Sequence, residues 1–273
     1  MMIKFIKTDF SFDEEKIFRQ LHLEENRSAT KHTRMVLPML TKLLKENMEL
    51  TTCYSLQDND FQAPLPGIGC CSQVALCYCS CTRRINDVID TMLSQGEILD
   101  GFLLNHMANA VFFEASNQMN GKLAHVLSER GLHLTKRYAA GEGEVPLSVQ
   151  AIILDALKTE TELEVNLTSN YMLEPERSML YYFGADADIT GHSTRHDCGA
   201  CNSEDCPFRD VEGDVAEGLI KNAKPQTSWS ALRAFDRLYQ GFSSHRVIPF
   251  FRDAVNAWTW PAGGGTIPFG GKR

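Results

Sequence analysis

The spacing of apolar and polar residues along the chain predicts a mixture of helices and strands. Apolar residues recur every three or four positions over residues 12–50, which predicts two helices, and over residues 97–130, which predicts one long helix ending at Gly131. The alternating run QVALCYCSCT, residues 73–82, predicts a strand. Shorter patterns predict strands over residues 132–138, 163–169 and 178–185, and a helix after Pro146. Together these elements predict an α+β fold, with a mainly antiparallel sheet and long covering helices.

Changes in composition predict four parts along the chain. The Pro- and Gly-rich stretch FQAPLPGIGCC, residues 61–71, separates an N-terminal helical part, residues 1–65, from an α+β core, residues 66–190. A Cys-rich loop follows at residues 191–210. We expect residues 211–273 to form C-terminal helices and a flexible tail, because helical spacing there gives way to a Gly-rich end.

Composition and charge narrow the classes of function. Of the 273 residues, 43% are hydrophobic, which is enough for a folded core. The net charge is −8 and no run of Lys and Arg forms a basic patch, so we expect no nucleic-acid partner. No stretch is long and apolar enough for a membrane span, and the opening lacks the apolar core of a signal peptide. We therefore expect a cytoplasmic protein, with no membrane partner, whose nine cysteines stay reduced.

Three cysteines near the end of the predicted core have the spacing of metal ligands. Cys198, Cys201 and Cys206 follow a C-x2-C-x4-C pattern, in which the sulfurs can converge on one centre. The spacing leaves the fourth ligand open. His192 or His196 would complete a zinc site, whereas a cysteine from residues 70–81, a water or a small ligand would complete an iron–sulfur cluster. Three unligated cysteines in a loop are the alternative.

Three other cysteines fall on one face of the strand predicted over residues 73–82. Cys77, Cys79 and Cys81 are two residues apart, and side chains at that spacing point the same way from a strand. Small thiols on one face of a sheet favour core packing over metal ligation.

A carboxylate interrupts the apolar stripe of the predicted long helix. Leu103, Met107 and Ala110 form the stripe, and Glu114 is the next position on it. Burial of a carboxylate is unfavourable unless something pairs with it. Glu114 therefore either forms an ion pair or reaches solvent, or it faces a pocket that holds a cation.

A Gly-rich turn follows the strand predicted over residues 132–138. Gly141 and Gly143 lie in this turn, where backbone N–H groups can be exposed to a ligand. Arg137 comes just before it and offers a fixed, positively charged fork that suits a carboxylate.

Three of these segments carry a resemblance to a known family. NAVFFEA at residues 109–115, RYAAGEGEVPLSVQ at residues 137–150 and LTSNYMLEPERSM at residues 167–179 occur in the order, and among the elements, of that family. From residue 74 to 189, somewhat under half of its length, the chain resembles the activation domain of cobalamin-dependent methionine synthase and the stand-alone bacterial proteins similar to it. The cysteine cluster is similar to a C-terminal motif of those stand-alone proteins.

The resemblance implies an S-adenosylmethionine site. An Arg, three residues and a Gly-Tyr pair line that site in the family, and Arg137 and Gly141 match this pattern, with Glu142 in place of the Tyr. By this resemblance Arg137 holds the carboxylate of the methionine part. Glu114 and Glu142 face its amino group or sulfonium, and the backbone at Gly141 and Gly143 allows a close approach.

The activity implied is reductive reactivation of a corrinoid protein with S-adenosylmethionine as methyl donor. The partner supplies the cobalamin, and a protein such as a flavodoxin or ferredoxin supplies the electron. A metal centre at the three cysteines, either an iron–sulfur cluster or zinc, would take part. Two alternatives stay open: a corrinoid-linked zinc methyltransferase, and a non-catalytic, metal-stapled module that docks on a corrinoid protein.

Overall fold

The fold is built around one antiparallel sheet. The computed structural model describes residues 3–21, 23, 27–61, 64–159, 162–196, 198, 206 and 208. The order of strands in the sheet is β1 (Ile3–Phe5), β2 (Leu50–Asp58), β3 (Gln73–Cys81), β8 (Ser178–Asp186) and β4 (His133–Leu134), and β5 (Tyr138–Ala139) also pairs with β8. Every pairing between these strands is antiparallel, as the sequence predicted.

The helices account for most of the rest of the described chain. They are α1 (Glu14–Gln20), α2 (Arg27–Asn47), α3 (Arg84–Ser94), α4 (Ile98–Ser128) and α5 (Val149–Lys158). The long helix predicted over residues 97–130 is confirmed as α4, and Gly131 follows it with φ of +73°, the left-handed conformation that ends helices. At 1.5 Å per residue, α4 is about 46 Å long.

Helix α4 covers one face of the sheet. Met119 and Leu123 of α4 pack with Cys77 of β3 and with Tyr181 and Phe183 of β8, and all five side chains are fully buried. Alternation along a strand places residues of odd number in β3 and β8 on this face.

Helix α5 and the connection before β3 cover the opposite face. Ile153 and Leu157 of α5 and Ile68 of the connection pack against Leu76 of β3 and Tyr182 of β8. The two faces thus form two apolar clusters separated by the central strands β3 and β8, and a residue's position in the strand decides which cluster it joins.

Two strands of the sheet come from the N-terminal part, which the sequence pattern predicted as helical. Strand β2 pairs with β3 along its whole length, from Leu50 opposite Cys81 to Asp58 opposite Gln73, and β1 pairs with β2. The division of the chain at residue 65 remains a prediction.

The strand predicted over residues 132–138 is broken in the structure. Only β4 and β5 form from this segment, because the side-chain oxygen of Thr135, and not a backbone carbonyl, accepts the hydrogen bond from β8. The N–H of Gly184 donates to Oγ1 of Thr135 at 2.9 Å, and Oγ1 in turn donates to the carbonyl of Lys136. Side chain and backbone compete here for the same partner, so the strand pattern is interrupted.

The segments 163–169 and 170–177 form a small hairpin of their own. Strand β6 (Asn166–Leu167) pairs with β7 (Leu173–Glu174), and Tyr171 in the turn has φ of +59°. The strand predicted over residues 163–169 is therefore present, but it is shorter and lies outside the main sheet. Of the helices that the structure describes, none has both the length and the apolar character that crossing a bilayer requires.

The cysteines of β3 are core residues, as their spacing predicted. Cys77, Cys79 and Cys81 are each no more than 1% exposed, under α4. Burial raises the pKa of the Cys81 thiol to about 11 and that of Cys53 on β2 to about 12, and it raises the pKa of Cys77 and Cys79 as well. These groups therefore stay as uncharged thiols near neutral pH.

We expect this burial to set the pattern of thiol labelling. With iodoacetamide at pH 8 under native conditions, the exposed Cys70 should be modified, whereas Cys53, Cys77, Cys79 and Cys81 should react only after unfolding. Peptide mass spectrometry of native and urea-unfolded samples measures this. Native labelling of Cys77 or Cys79 would contradict the packing described above.

Candidate functional site

Arg137 reaches the α4 face of the sheet because of its place beside β5. Tyr138 lies opposite Tyr182 of β8, and its ring stacks on that of Tyr182 with the centroids 5.5 Å apart. Side chains alternate along a strand, so the neighbouring Arg137 is directed to the other face, where Ala139 packs with Tyr181. The side chain of Arg137 is only 8% exposed there.

A buried tyrosine supports the guanidinium. The Cζ atom of Arg137 lies 5.4 Å from the ring centroid of Tyr181, a cation–π distance, and Nη1 donates to Sδ of Met179 at 3.9 Å. Two residues of α4 fix the Tyr181 ring: its hydroxyl donates to Oδ1 of Asn120 at 2.8 Å and lies 2.9 Å from Oγ of Ser116. Burial raises the pKa of Tyr181 well above its usual range, so the hydroxyl stays protonated.

The guanidinium also contacts two side chains on the more exposed side. Nη2 of Arg137 donates to Oε1 of Glu142 at 2.8 Å and lies 2.8 Å from Nδ1 of His196. Nδ1 is 3.4 Å from the second oxygen of Glu142. Nδ1 of His196 is therefore within reach of both the guanidinium and the carboxylate, and the position of the ring proton decides which of the two it bonds to.

Glu142 is held as a carboxylate. Burial raises its pKa, but the hydrogen bond with His196 and the charge of Arg137 outweigh this effect, so the pKa of Glu142 lies below its ordinary value. The side chain of Glu142 is 42% exposed and that of Arg137 is 8% exposed. Glu142 thus reaches inward from the loop to a guanidinium that is already buried.

One nitrogen of Arg137 has unused hydrogen-bonding capacity. Nε is buried and has no hydrogen-bond partner among the described residues. A buried N–H without a partner is unfavourable, and Nε together with one terminal nitrogen forms an edge that a carboxylate can bridge with two bonds. Arg137 therefore fits the carboxylate of an amino-acid ligand.

The Gly-rich turn adopts the conformation that its glycines allow. Gly141 has φ of +84° and Gly143 has φ of +57°, both in the left-handed region. The N–H of Gly141 donates to the carbonyl of Val145, and the N–H of Glu142 donates to that of Ala139. These two N–H groups serve the turn itself, so the turn positions Glu142 beside Arg137 and does not offer these groups to a ligand.

The structure does not bring Glu114 to this group. Glu114 is half-buried on α4, two residues before Ser116, so the two side chains project about 160° apart around the helix axis. Ser116 faces Tyr181, and Gln118, which shares the side of Glu114, bonds to Asp9 and Ser11. Glu114 thus lies on the side of α4 next to the N-terminal segment.

Two residues of the predicted Cys-rich loop contact helix α4. Nδ2 of Asn120 donates to the carbonyl of Thr194, and the ring of Phe208 stacks on His106 with centroids 4.4 Å apart and packs edge-on against Phe113 at 5.2 Å. His106, Phe113 and Asn120 are seven residues apart and form one stripe of α4. Burial lowers the pKa of His106 to about 4, so it stacks as a neutral ring at pH 7.

The predicted metal site at the cysteines stays a prediction. Cys198 and Cys206 are half-buried, and Cys201 lies outside the described residues. Within the part of the chain that the structure describes, no group of three or more His, Cys, Asp or Glu side chains is arranged to hold a metal ion. His196, one candidate for the fourth ligand, contacts Arg137 and Glu142. The C-terminal helices and tail predicted over residues 211–273 also lie outside the described residues.

Sequence reasoning did not include Ser116, Asn120 or Tyr181 among the site residues. The available signal was a pair of polar residues, Ser116 and Asn120, four positions apart on a helix that is otherwise apolar on that side. Their common partner, Tyr181, becomes evident only from the pairing of β8 with its neighbours.

The fold has a counterpart among solved structures. No protein-family profile matches the sequence, and no curated protein matches it. A crystal structure described as the MetH reactivation domain bound to AdoHcy matches with a TM-score of 0.51 at 10% sequence identity, over 70% of this chain and 80% of that chain. The similarity at this identity is one of fold: the chain has the mixed helical and antiparallel architecture of that domain.

Proposed function

We propose that this chain binds S-adenosylmethionine at Arg137 and takes part in the reductive reactivation of a corrinoid carried by a partner protein. Two independent observations support the proposal. The fold is similar to that of a reactivation domain bound to AdoHcy, and the Arg-x3-Gly pattern at Arg137 and Gly141 resembles the pattern that lines the ligand site in that family.

The observation that carries the proposal is the buried guanidinium of Arg137. It is 8% exposed, rests on the Tyr181 ring, and has an Nε without a protein partner among the described residues. A charge placed so deeply requires an anion, and the carboxylate of an amino-acid ligand has the matching two-oxygen geometry. Because Ser116 and Asn120 fix Tyr181, the guanidinium is held in place before a ligand arrives.

The residues of this chain would bind and orient the ligand. When bound, S-adenosylmethionine supplies the methyl group that traps the reduced cobalt of the partner's corrinoid, with the electron coming from a donor such as a flavodoxin or ferredoxin. Arg137 would fix the amino-acid end, and the Gly141–Gly143 turn would set the distance of Glu142 from it. This is catalysis by positioning, in which no side chain needs to move a proton.

The ligand itself provides the test. S-Adenosylhomocysteine and 5′-methylthioadenosine share the adenosine and the thioether, but only the first has an amino-acid carboxylate. We expect S-adenosylhomocysteine to bind at least about tenfold more tightly in isothermal titration calorimetry, because one charged hydrogen-bonded contact contributes about 1.5–3 kcal/mol. Equal dissociation constants would show that Arg137 does not take the carboxylate.

One observation favours a second candidate, the non-catalytic module that docks on a corrinoid protein. Arg137 already has an in-chain carboxylate partner in Glu142, at 2.8 Å. If that pair is permanent, the ligand carboxylate has no partner, and S-adenosylhomocysteine binds no more tightly than 5′-methylthioadenosine or does not bind at all. The same titration therefore separates the two candidates.

A further inference from the structure

The ion pair between Arg137 and Glu142 occupies the group that the proposed ligand needs. Oε1 of Glu142 accepts from Nη2 of Arg137 at 2.8 Å, and its second oxygen lies 3.4 Å from Nδ1 of His196. A ligand carboxylate that binds the guanidinium through two bonds requires Nη2, paired either with Nε or with the other terminal nitrogen, Nη1, which faces the sulfur of Met179. Glu142 and a ligand carboxylate therefore compete for the same donors.

Glu142 is placed so that its side chain can move away from Arg137. Its side chain is 42% exposed, and it lies between two glycines with positive φ, Gly141 and Gly143, on a short turn. Arg137 is 8% exposed and is held by Tyr181, so it is the fixed member of the pair. Exchange of one carboxylate for another then requires that Glu142 rotate away from Arg137 and give up its contact with His196.

We infer that Glu142 is a built-in competitor which a ligand carboxylate displaces, and that the displaced Glu142 makes the site prefer a sulfonium over a neutral thioether. The inference rests on the proposed function. S-Adenosylmethionine and S-adenosylhomocysteine have the same amino-acid carboxylate, so each displaces Glu142 equally. Once displaced, Glu142 stays tethered next to the site as a carboxylate. Both ligands carry the same ammonium group, and only S-adenosylmethionine also carries a sulfonium that gains from the charge of Glu142.

This exchange gives the methyl donor an advantage over its demethylated product. Both ligands lose affinity because they must break the Arg137–Glu142 pair, but the donor regains part of that loss through attraction to the free carboxylate. The product lacks this compensation and is released more readily. Glu142 would thus determine specificity at the same site that Arg137 anchors.

The test compares both ligands on three proteins. We expect Glu142→Gln to bind S-adenosylhomocysteine about tenfold more tightly than the wild type, because the charged competitor is gone. Its affinity for S-adenosylmethionine should change less than about threefold, because the loss of competition and the loss of attraction oppose each other. Glu144→Gln, on the same turn and exposed, removes an equal charge and should leave both dissociation constants unchanged.

The outcomes separate the inference from the proposed function. If both ligands bind the wild type and Glu142→Gln changes neither constant, or tightens both equally, the proposed function stands and the inference is overturned. If neither ligand binds the wild type or Glu142→Gln, the proposed function itself fails and the inference fails with it. Because Glu142 is 42% exposed, the Gln variant should fold normally, and circular dichroism spectra confirm this.

Discussion

Arg137→Ala is expected to weaken the binding of S-adenosylhomocysteine by at least about 100-fold, or about 2.8 kcal/mol. The guanidinium is the group that pairs with the ligand carboxylate in the proposed complex, and it is 8% exposed and supported by Tyr181. Its removal takes away two charged hydrogen bonds at a position where water competes poorly. Calorimetric titration of the wild type and of Arg137→Ala with S-adenosylhomocysteine measures the change.

Two further variants show whether the loss of affinity is specific to the guanidinium of Arg137. Arg83→Ala removes a guanidinium that is 71% exposed at the start of α3 and should leave the binding constant unchanged. Arg137→Lys keeps the positive charge but lacks the planar fork, so we expect an intermediate loss of affinity. Thermal unfolding of each variant shows whether the fold persists. A folded Arg137→Ala protein with wild-type affinity would contradict the proposed role.

The sequence predicted best the elements whose apolar pattern is long. Helix α4 and strands β3 and β8 were predicted within a few residues, because each has many apolar positions that must face a core. Strands β1 and β2 were missed, since LTTCYSLQD mixes polar and apolar residues and derives its order from pairing with β3 along its length. The break at Thr135 depends on one hydroxyl and a distant backbone N–H, which no local pattern contains.

The candidate site could be predicted from the sequence only in part. The segment containing Arg137, Gly141 and Glu142 is local, and its residues do lie together in the structure. Glu114 was predicted to belong to the same site, but the direction of its side chain depends on the rotation of α4 against the sheet, which the periodicity alone did not fix. The contact between His196 and Arg137 joins residues 59 positions apart, and only the path of the chain after β8 creates it.

The packing of β8 leads to the second large effect: Gly184→Ala should lower the free energy of unfolding by about 1–3 kcal/mol. Gly184 is buried in β8, and a Cβ atom there would lie 2.5 Å from Sγ of Cys71 and 3.0 Å from Cγ2 of Ile68. Both side chains are themselves buried, at 5% and 0% exposed, so neither can move into solvent. Urea denaturation followed by circular dichroism measures the change.

Gly121→Ala is the matched control, because it adds the same methyl group where nothing lies within 4 Å. Gly121 is exposed within α4, and alanine there should stabilise the protein by about 0.5–1 kcal/mol through helix propensity. If the clash at Gly184 is with Cys71, adding Cys71→Ala to Gly184→Ala should be less destabilising than the sum of the two single changes. Full additivity would mean that the Cys71 sulfur is not the group that the new methyl meets. A Gly184→Ala protein as stable as the wild type would mean that the connection before β3 does not pack tightly against β8 at this position.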